Sequence, residues 1–448
     1  MSKTPIEHII NYRYLFLWGA FMTFYEVNGS RKISGSIEVQ GAKNSALPIL
    51  AATLLIHDKC VIHNCPELSD VEAALRILIT LGCVCVRDAN TVIVDASDAA
   101  NFEIPEDLMR EMRSSVLFLG AIVSRMGKAK ITSPGGCELG PRPIDLHLSA
   151  LNQLGVIVNE NDGFIECSAP DGLHSANVKL AFPSVGATEN IIIAAAVSKG
   201  TTVIEGAACE PEISDLADFL NNCGARIYGA GSSRVVIEGV RTLYSCEHSV
   251  IPDRIVAATY LTAAAITKGE VELNKVRSDY LLSVIRFFEQ IGCSIKGNAS
   301  SLYLKADNKL NSCNIITGVY PAFPTDAGPL TIPLLCTVNG ISNITETIFQ
   351  NRFRFVDELN KFGANVFIKD KTAVIKGINQ LKFARVFCTD LRGGAALTLA
   401  ALAADGVSQI GDIYHIERGY CNLPNDLTRL GADIKEVEIS EKEKGKQT

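Results

Sequence analysis

Cys137 sits in the run Ser-Pro-Gly-Gly-Cys-Glu-Leu-Gly-Pro-Arg-Pro, residues 133–143. A lone cysteine is ordinarily a small core residue. Here Gly135, Gly136, Gly140, Pro141 and Pro143 punctuate the segment into a loop. Arg142 would favour the thiolate and Glu138 would oppose it. A glycine-hinged loop carrying a thiol and a guanidinium has the make-up of a lid that closes over an anionic substrate.

Four further clusters could do chemistry. Gly41-Ala42-Lys43-Asn44-Ser45 falls between the strand pattern 36–39 and an apolar helix pattern at 46–55. A lysine at such a joint can meet a phosphate beside free backbone N–H groups. On spacing alone a solvated turn lysine reads equally well. The segment is not a Walker loop, because GxxxxGK[ST] is absent. Asp326, in Pro324-Thr325-Asp326, could take a proton from a hydroxyl, although its spacing suits a helix cap better. Asp390 and Arg392 lead into an alanine-rich helix at 395–404 and read as a capping aspartate with a solvated arginine. In Tyr414-His415-Ile416-Glu417-Arg418-Gly419-Tyr420, His415 reads as structural and Arg418 as an anion clamp. Arg113, Arg142, Arg352, Arg392 and Arg418 all lie near Gly, Pro or Ser. With Lys43 they supply enough positive charge for a phosphate and a carboxylate, or for a diphosphate.

The elements that must position these residues repeat. A helical segment ending in Gly, then an alternating strand, recurs at Gly82, Gly155, Gly224, Gly292, Gly363 and Gly431, spaced by roughly 70 residues. Val71 to Thr80 carries apolar residues at helical spacing, Gly82 suits a left-handed helix end, and Val84 and Val86 alternate as a strand. Alanine-rich helices such as the one at Ala263-Ala264-Ala265 are apolar on most faces, as buried helices are. Six such units predict an α/β fold of two similar domains with three units each. Their interface is then the natural place for a site.

Composition narrows the classes. The chain has 448 residues, 47% of them hydrophobic, and a formal charge of −7. It is long enough for two domains and carries no basic stripe for nucleic acid. The 14 cysteines are scattered without a CxxC pair. They point to reduced thiols in a cytoplasmic protein, with neither zinc nor iron–sulfur spacing. Tyr14 to Tyr25 is uncharged, yet it falls short of the about 20 residues a membrane span needs. No cleavage site follows it. Residues 1–21 are expected to be an extension outside the fold, with Met22 the natural start because patterned sequence begins there.

With these residues assembled, the chain resembles the UDP-N-acetylglucosamine 1-carboxyvinyltransferase family of enolpyruvyl transferases. The resemblance rests on GAKNSALPIL (41–50), PGGCELGPRPIDLHL (134–148), PSVGATEN (183–190), EPEISDLADFL (210–220), PDRI (252–255), FPTD (323–326), NRF (351–353), TDLRGGAAL (389–397) and YHIERGY (414–420). These motifs stand in the family's order from about Phe24 to Ile434. The resemblance implies an inside-out α/β barrel of two similar domains, each of three βαβαββ repeats. Residues 22–42 with 251–448 would form one domain and residues 43–250 the other, which carries the cysteine lid.

The resemblance also implies the reaction. The enolpyruvyl group of phosphoenolpyruvate would pass to the 3-hydroxyl of UDP-N-acetylglucosamine through a tetrahedral ketal, with release of phosphate. This is the first committed step of peptidoglycan synthesis and a fosfomycin target. Cys137 would be the general acid. Lys43, Arg142 and Arg418 would hold phosphoenolpyruvate, and Asp326 would accept the hydroxyl proton. Asn44, Arg113, the stretch Arg142, Pro143, Ile144, Asp145 and Leu146, and Ser184, Val185 and Gly186 would hold the sugar nucleotide. Arg352 and Arg392 would line the cleft. No metal, organic cofactor or membrane span is implied. The chain departs from the family at Ala327-Gly328, where a bulky residue and Gln usually stand, and at Gln350, often Glu. These departures bear on affinity and turnover. They leave two alternatives: a weakly active sugar-nucleotide sensor, or a transferase with another hydroxyl acceptor.

Overall fold

The alternating segments fold as short strands in several small sheets. The computed structural model describes residues 21–132, 144–161, 163–306 and 309–440. Glu247–Ser249 runs parallel to Lys59–His63, which pairs antiparallel with Thr91–Asp95, which pairs antiparallel with Val84–Asp88. The same order builds sheets around Thr201–Glu205, Glu270–Asn274, Ile341–Thr345 and Val407–Gly411. Another sheet joins Lys128–Thr132, Phe164–Ser168 and Ile157–Asn161, with a parallel bridge from Glu103 in place of the short strand. Among the described residues each sheet is open, and no closed barrel forms. The architecture is mixed α/β.

Strand burial alternates with the pleat, so one face of each sheet meets an apolar core. Two separate clusters form these cores. One gathers residues from Ala42 to Val250. The other gathers Tyr25 to Val39 with Ile255 to Ile434. At the centre of the first lie the helices Lys43–Thr53, Phe118–Met126 and Val185–Ala195. The helices Arg254–Ile266, Gly328–Cys336 and Leu391–Ala403 take that place in the second. These helices are buried along most of their length, which accounts for the small or apolar residues most of them carry on nearly every face.

The helix ends follow local chemistry. After Ser69–Thr80, Gly82 takes φ +99°, and the N–H of Cys83 reaches back to the Leu78 carbonyl at 2.9 Å. Gly155, Gly224, Gly292, Gly363 and Gly431 also have positive φ. Helix starts are less local. Lys43–Thr53 begins three residues before the apolar run at 46–55 and ends earlier than expected. Its starting residue Ala42 offers no side-chain cap; instead Asp253, from the second core, accepts the Lys43 N–H at 3.3 Å. Asp253 also caps its own helix, accepting from Ile255 at 2.8 Å and Val256 at 3.0 Å. Leu391–Ala403 likewise starts before the expected 395, capped by Asp390.

The chain passes between the cores where residues 40–43 lie against 251–253. The Ala42 N–H donates to Ile251 and the Asp253 N–H to Gln40, both at 2.8 Å. A Cβ on Gly41 would stand 1.8 Å from the Asn64 carbonyl oxygen, so only glycine fits here. At the N-terminus, Phe21–Asn28 is a strand between Val407–Gly411 and Asp433–Ser440. The last residues of the uncharged run thus enter the fold, starting at Phe21 rather than Met22, and Phe24 and Tyr25 are buried. No described helix is long and apolar enough to cross a membrane.

Candidate active site

A cleft of about 2570 Å³ is lined from both cores. The starts of five buried helices line it, through Lys43 and Asn44, Val185 and Gly186, Arg254, Asp326 before Gly328–Cys336, and Asp390 to Arg392. Helix starts present unsatisfied N–H groups and partial positive charge, so their convergence suits an anionic ligand.

Side-chain charge is arranged in compact groups. Asp70, 3% exposed in the first turn of Ser69–Thr80, accepts from Lys43 Nζ at 2.8 Å and from Arg418 Nε at 2.8 Å. Lys43 belongs to the first core's central helix, whereas Arg418 follows the short helix Tyr414–Glu417 beside the second. Asp70 therefore ties the two cores together. Burial pushes the Lys43 ammonium pKa down and Asp70 pulls it up; Arg418 and Arg392 add to the lowering, which prevails. Burial raises the Asp70 carboxyl, but Lys43 and Arg418 outweigh it and hold the group below the usual carboxylate range.

Asp326 forms a second group. Arg352 bonds its Oδ1, and Arg392 reaches Oδ2 through Nη2 at 3.1 Å and Nε at 3.3 Å. Arg352 Nε also donates to the Thr325 carbonyl at 3.0 Å. Burial opposes ionisation of Asp326, but Arg352 and Arg392 prevail and hold its carboxyl well below the usual range. The helix-cap alternative does not occur, because the Asp326 side chain is engaged by arginines and Ala327 starts the helix without a side-chain cap. Arg392 is 3% exposed rather than solvated, and its Nη1 has no hydrogen-bond partner among the described residues. Lys43, at 8% exposure, is likewise no solvated turn residue.

A third group crosses between the cores. Arg254 Nε donates to Glu212 at 3.0 Å, and the Tyr320 N–H donates to Glu210 at 3.4 Å. Glu189 is buried beside them. Burial, then the charges of Glu212 and Glu210, push its carboxyl well above the usual range.

Asn190 organises the opposite wall. Its side chain takes the Gly120 N–H at 2.7 Å, donates to the Val116 carbonyl at 2.9 Å and meets His147 Nδ1 at 2.9 Å. This fixes the turn Arg113–Leu117 and the helix Asp145–Gln153 against Val185–Ala195. Ser184 caps the last of these, accepting the Ala187 N–H at 3.3 Å.

Lys43, Asn44, Asp145, Leu146, Ser184, Val185, Gly186, Asp326, Arg352, Arg392 and Arg418 all line the cleft. Ile144 packs against the first apolar core instead. Cys137, Arg142 and Pro143 lie outside the described residues, as does the side chain of Arg113. His415 also lines the cleft, its ring tilted against that of Tyr414 with centroids 4.2 Å apart. Asp70, Glu189, Asn190 and the Glu212–Arg254 pair were not singled out by the sequence. Ala327 and Gly328 sit at the start of a buried helix, and a Cβ on Gly328 would meet Thr317 in ordinary contact at 3.4 Å.

Residues 27–427 match the model of the EPSP synthase (3-phosphoshikimate 1-carboxyvinyltransferase) family. A UDP-N-acetylglucosamine 1-carboxyvinyltransferase 2 of Caldanaerobacter subterraneus subsp. tengcongensis is 45% identical over 92% of this chain and 99% of its own. A UDP-N-acetylglucosamine 1-carboxyvinyltransferase 1 of Symbiobacterium thermophilum is 46% identical over 92% of this chain and 95% of its own. Among solved structures, the enolpyruvyl transferase NikO from Streptomyces tendae has a TM-score of 0.83 at 24% identity, over 94% of this chain and 100% of that one. An EPSP synthase from Acinetobacter baumannii gives 0.71 at 16% identity, over 93% and 100%. These two structures share the fold.

Proposed function

The chain belongs to the EPSP synthase family, among the UDP-N-acetylglucosamine 1-carboxyvinyltransferases, and from this premise we propose that it transfers the enolpyruvyl group of phosphoenolpyruvate to the 3-hydroxyl of UDP-N-acetylglucosamine, releasing phosphate and committing the sugar to peptidoglycan. The observation that carries this reading is the cleft into which helix starts, Lys43, Arg418, Arg352 and Arg392 converge around Asp70 and Asp326. Phosphoenolpyruvate and a nucleotide diphosphate are both polyanions. A cleft whose cations are already held in place binds them with little reorganisation.

Asp326 serves as base for the sugar hydroxyl. Lys43 and Arg418 offer donors to phosphate and carboxylate, and Asp70 sets their positions. Cys137 acts as acid toward the methylene carbon in an addition–elimination through a tetrahedral ketal. Ser184 to Gly186, Asn44, Arg113, Arg142, Pro143, Asp145 and Leu146 hold the sugar nucleotide. No metal or organic cofactor enters this scheme. In this reading the chain repeats one βαβαββ unit six times, three to each core, as an inside-out barrel. Residues 22–42 with 251–448 form one domain and residues 43–250 the other. The reaction belongs in the cytoplasm, where scattered free thiols stay reduced.

The test is phosphate release from phosphoenolpyruvate, with and without UDP-N-acetylglucosamine. Release that requires the sugar nucleotide is expected. Binding of UDP-N-acetylglucosamine without release would replace this reading with a sensor, and release only with another hydroxyl compound would replace the acceptor. Fosfomycin is expected to add one covalent mass to wild type and none to Cys137→Ala. An adduct mapped by mass spectrometry to a different cysteine would remove Cys137 from its role.

A further inference from the structure

Outside the cleft, three thiols come together from distant parts of the chain. Cys223 ends the helix Pro211–Asn222, Cys246 precedes the strand Glu247–Ser249, and Cys60 lies on Lys59–His63, which pairs with that strand. The Cys223 and Cys246 sulfurs are 3.1 Å apart. Cys60 lies against both; its two sulfur neighbours favour its thiolate over the opposing effect of burial. Cys246, whose thiolate is favoured by its bond to Cys223, is pushed up by Cys60 and burial to about 11. Cys60 and Cys223 are fully buried, whereas Cys246 is half-buried and open to a small reagent.

We propose that Cys223 and Cys246, backed by Cys60, form a thiol-oxidation site that hydrogen peroxide closes to a Cys223–Cys246 disulfide. The Cys246 thiolate attacks the peroxide oxygen. The O–O bond breaks, the sulfur becomes a sulfenic acid, and the departing hydroxide is protonated to water. The Cys223 sulfur then attacks the sulfenic sulfur, forming the S–S bond and expelling a second water with the Cys223 proton. Two thiols are oxidised by two electrons and one peroxide is reduced to two waters.

The geometry asks for a sulfur movement of about 1 Å, to the roughly 2.05 Å of a disulfide. The irregular segment ahead of Glu247–Ser249 carries Cys246 and can supply it. What sets this pair apart from other buried cysteines such as Cys336 and Cys388 is the 3.1 Å between its sulfurs, not its ionisation.

A run of contacts leads from this site toward the cleft. Cys246 lies two residues before His248, whose ring packs edge-on against Phe219 at 5.6 Å. His248 Nε2 meets Asp215 Oδ1 at 2.9 Å, and Asp215 also holds the Ser45 hydroxyl and the Ile251 N–H. Ser45 is two residues from Lys43.

The experiment treats the full-length protein with hydrogen peroxide, alkylates the remaining thiols and maps peptides without reduction. The expected result is a linked Cys223–Cys246 peptide that dithiothreitol releases and that is absent from Cys246→Ala. Wild-type mapping alone decides the matter if that variant fails to fold. Cys223 and Cys246 remaining fully alkylatable while other cysteines oxidise would overturn the proposal, and so would a linkage running through Cys60 instead.

Discussion

Asp326→Asn is expected to lower kcat for phosphate release by about 10³-fold, within the range for loss of a general base, while the protein remains folded. Asparagine keeps the shape that Arg352 and Arg392 grip but cannot take a proton. Removing the charge leaves two guanidiniums, both at most 3% exposed, without their counter-ion. Unfolding free energy should therefore also fall, by about 3 kcal/mol. The pH dependence separates this loss from generic damage. The folded-state pKa of Asp326 is held well below its unfolded value, with Arg352 and Arg392 prevailing over burial. Its contribution to stability is then complete above the unfolded pKa of about 3.9 and fades as pH falls below that toward the folded pKa. Urea titrations of both proteins should show a constant difference from pH 8 to 5 that shrinks below about pH 4. A variant keeping kcat within tenfold of wild type would place the base elsewhere.

What could be read from the sequence was local. Gly82 announced a helix end because a left-handed residue closes a helix through bonds to the turn just before it. Strand alternation likewise showed which residues face a core. Helix starts were misplaced where the cap came from elsewhere. Lys43–Thr53 is capped by Asp253, 210 residues away in sequence, so no pattern near Lys43 could mark its first turn. The same limit hid half of the site. Lys43, Asp326, Arg392 and Arg418 stood out because punctuated loops expose their types. Their partners did not, since Asp70 meets Arg418 across 348 residues, and an acidic residue in a helix's first turn already has a local reason to be there. Arg392 read as solvated for this reason, although Asp326 holds it in the interior. Glu189 falls within a largely apolar helix, and only the assembled cleft sets Glu210 and Glu212 beside it.

The groups around Asp70, which is buried, and Asp326, which is half-buried, share a design in which a carboxylate holds buried cations that an anion will later need. Asp70→Ala tests its consequence. Without Asp70, Lys43 keeps the burial and the repulsion of Arg418 and Arg392 that lower its pKa, and loses the carboxylate that raises it. Breaking this buried pair should reduce unfolding stability by about 3 kcal/mol. With the Lys43 pKa lower still in the folded state, the unfolded chain binds more protons as pH rises toward about 10.4. The deficit should therefore ease at alkaline pH. Binding runs the other way. A neutral Lys43 attracts no phosphate, so KM for phosphoenolpyruvate, relative to wild type, should climb by about tenfold across the range from neutral to alkaline pH, equivalent to about 1.5 kcal/mol for one lost charge-assisted hydrogen bond. At low pH, where Lys43 is still charged, phosphoenolpyruvate supplies the negative charge that the variant lacks. It should then raise the melting temperature of Asp70→Ala by more than that of wild type, because a ligand binding only the folded state adds stability in proportion to its affinity. A KM ratio that stays flat across this range, together with equal ligand-induced melting shifts, would mean that Asp70 merely joins the two cores and does not prepare Lys43 and Arg418 for the substrate.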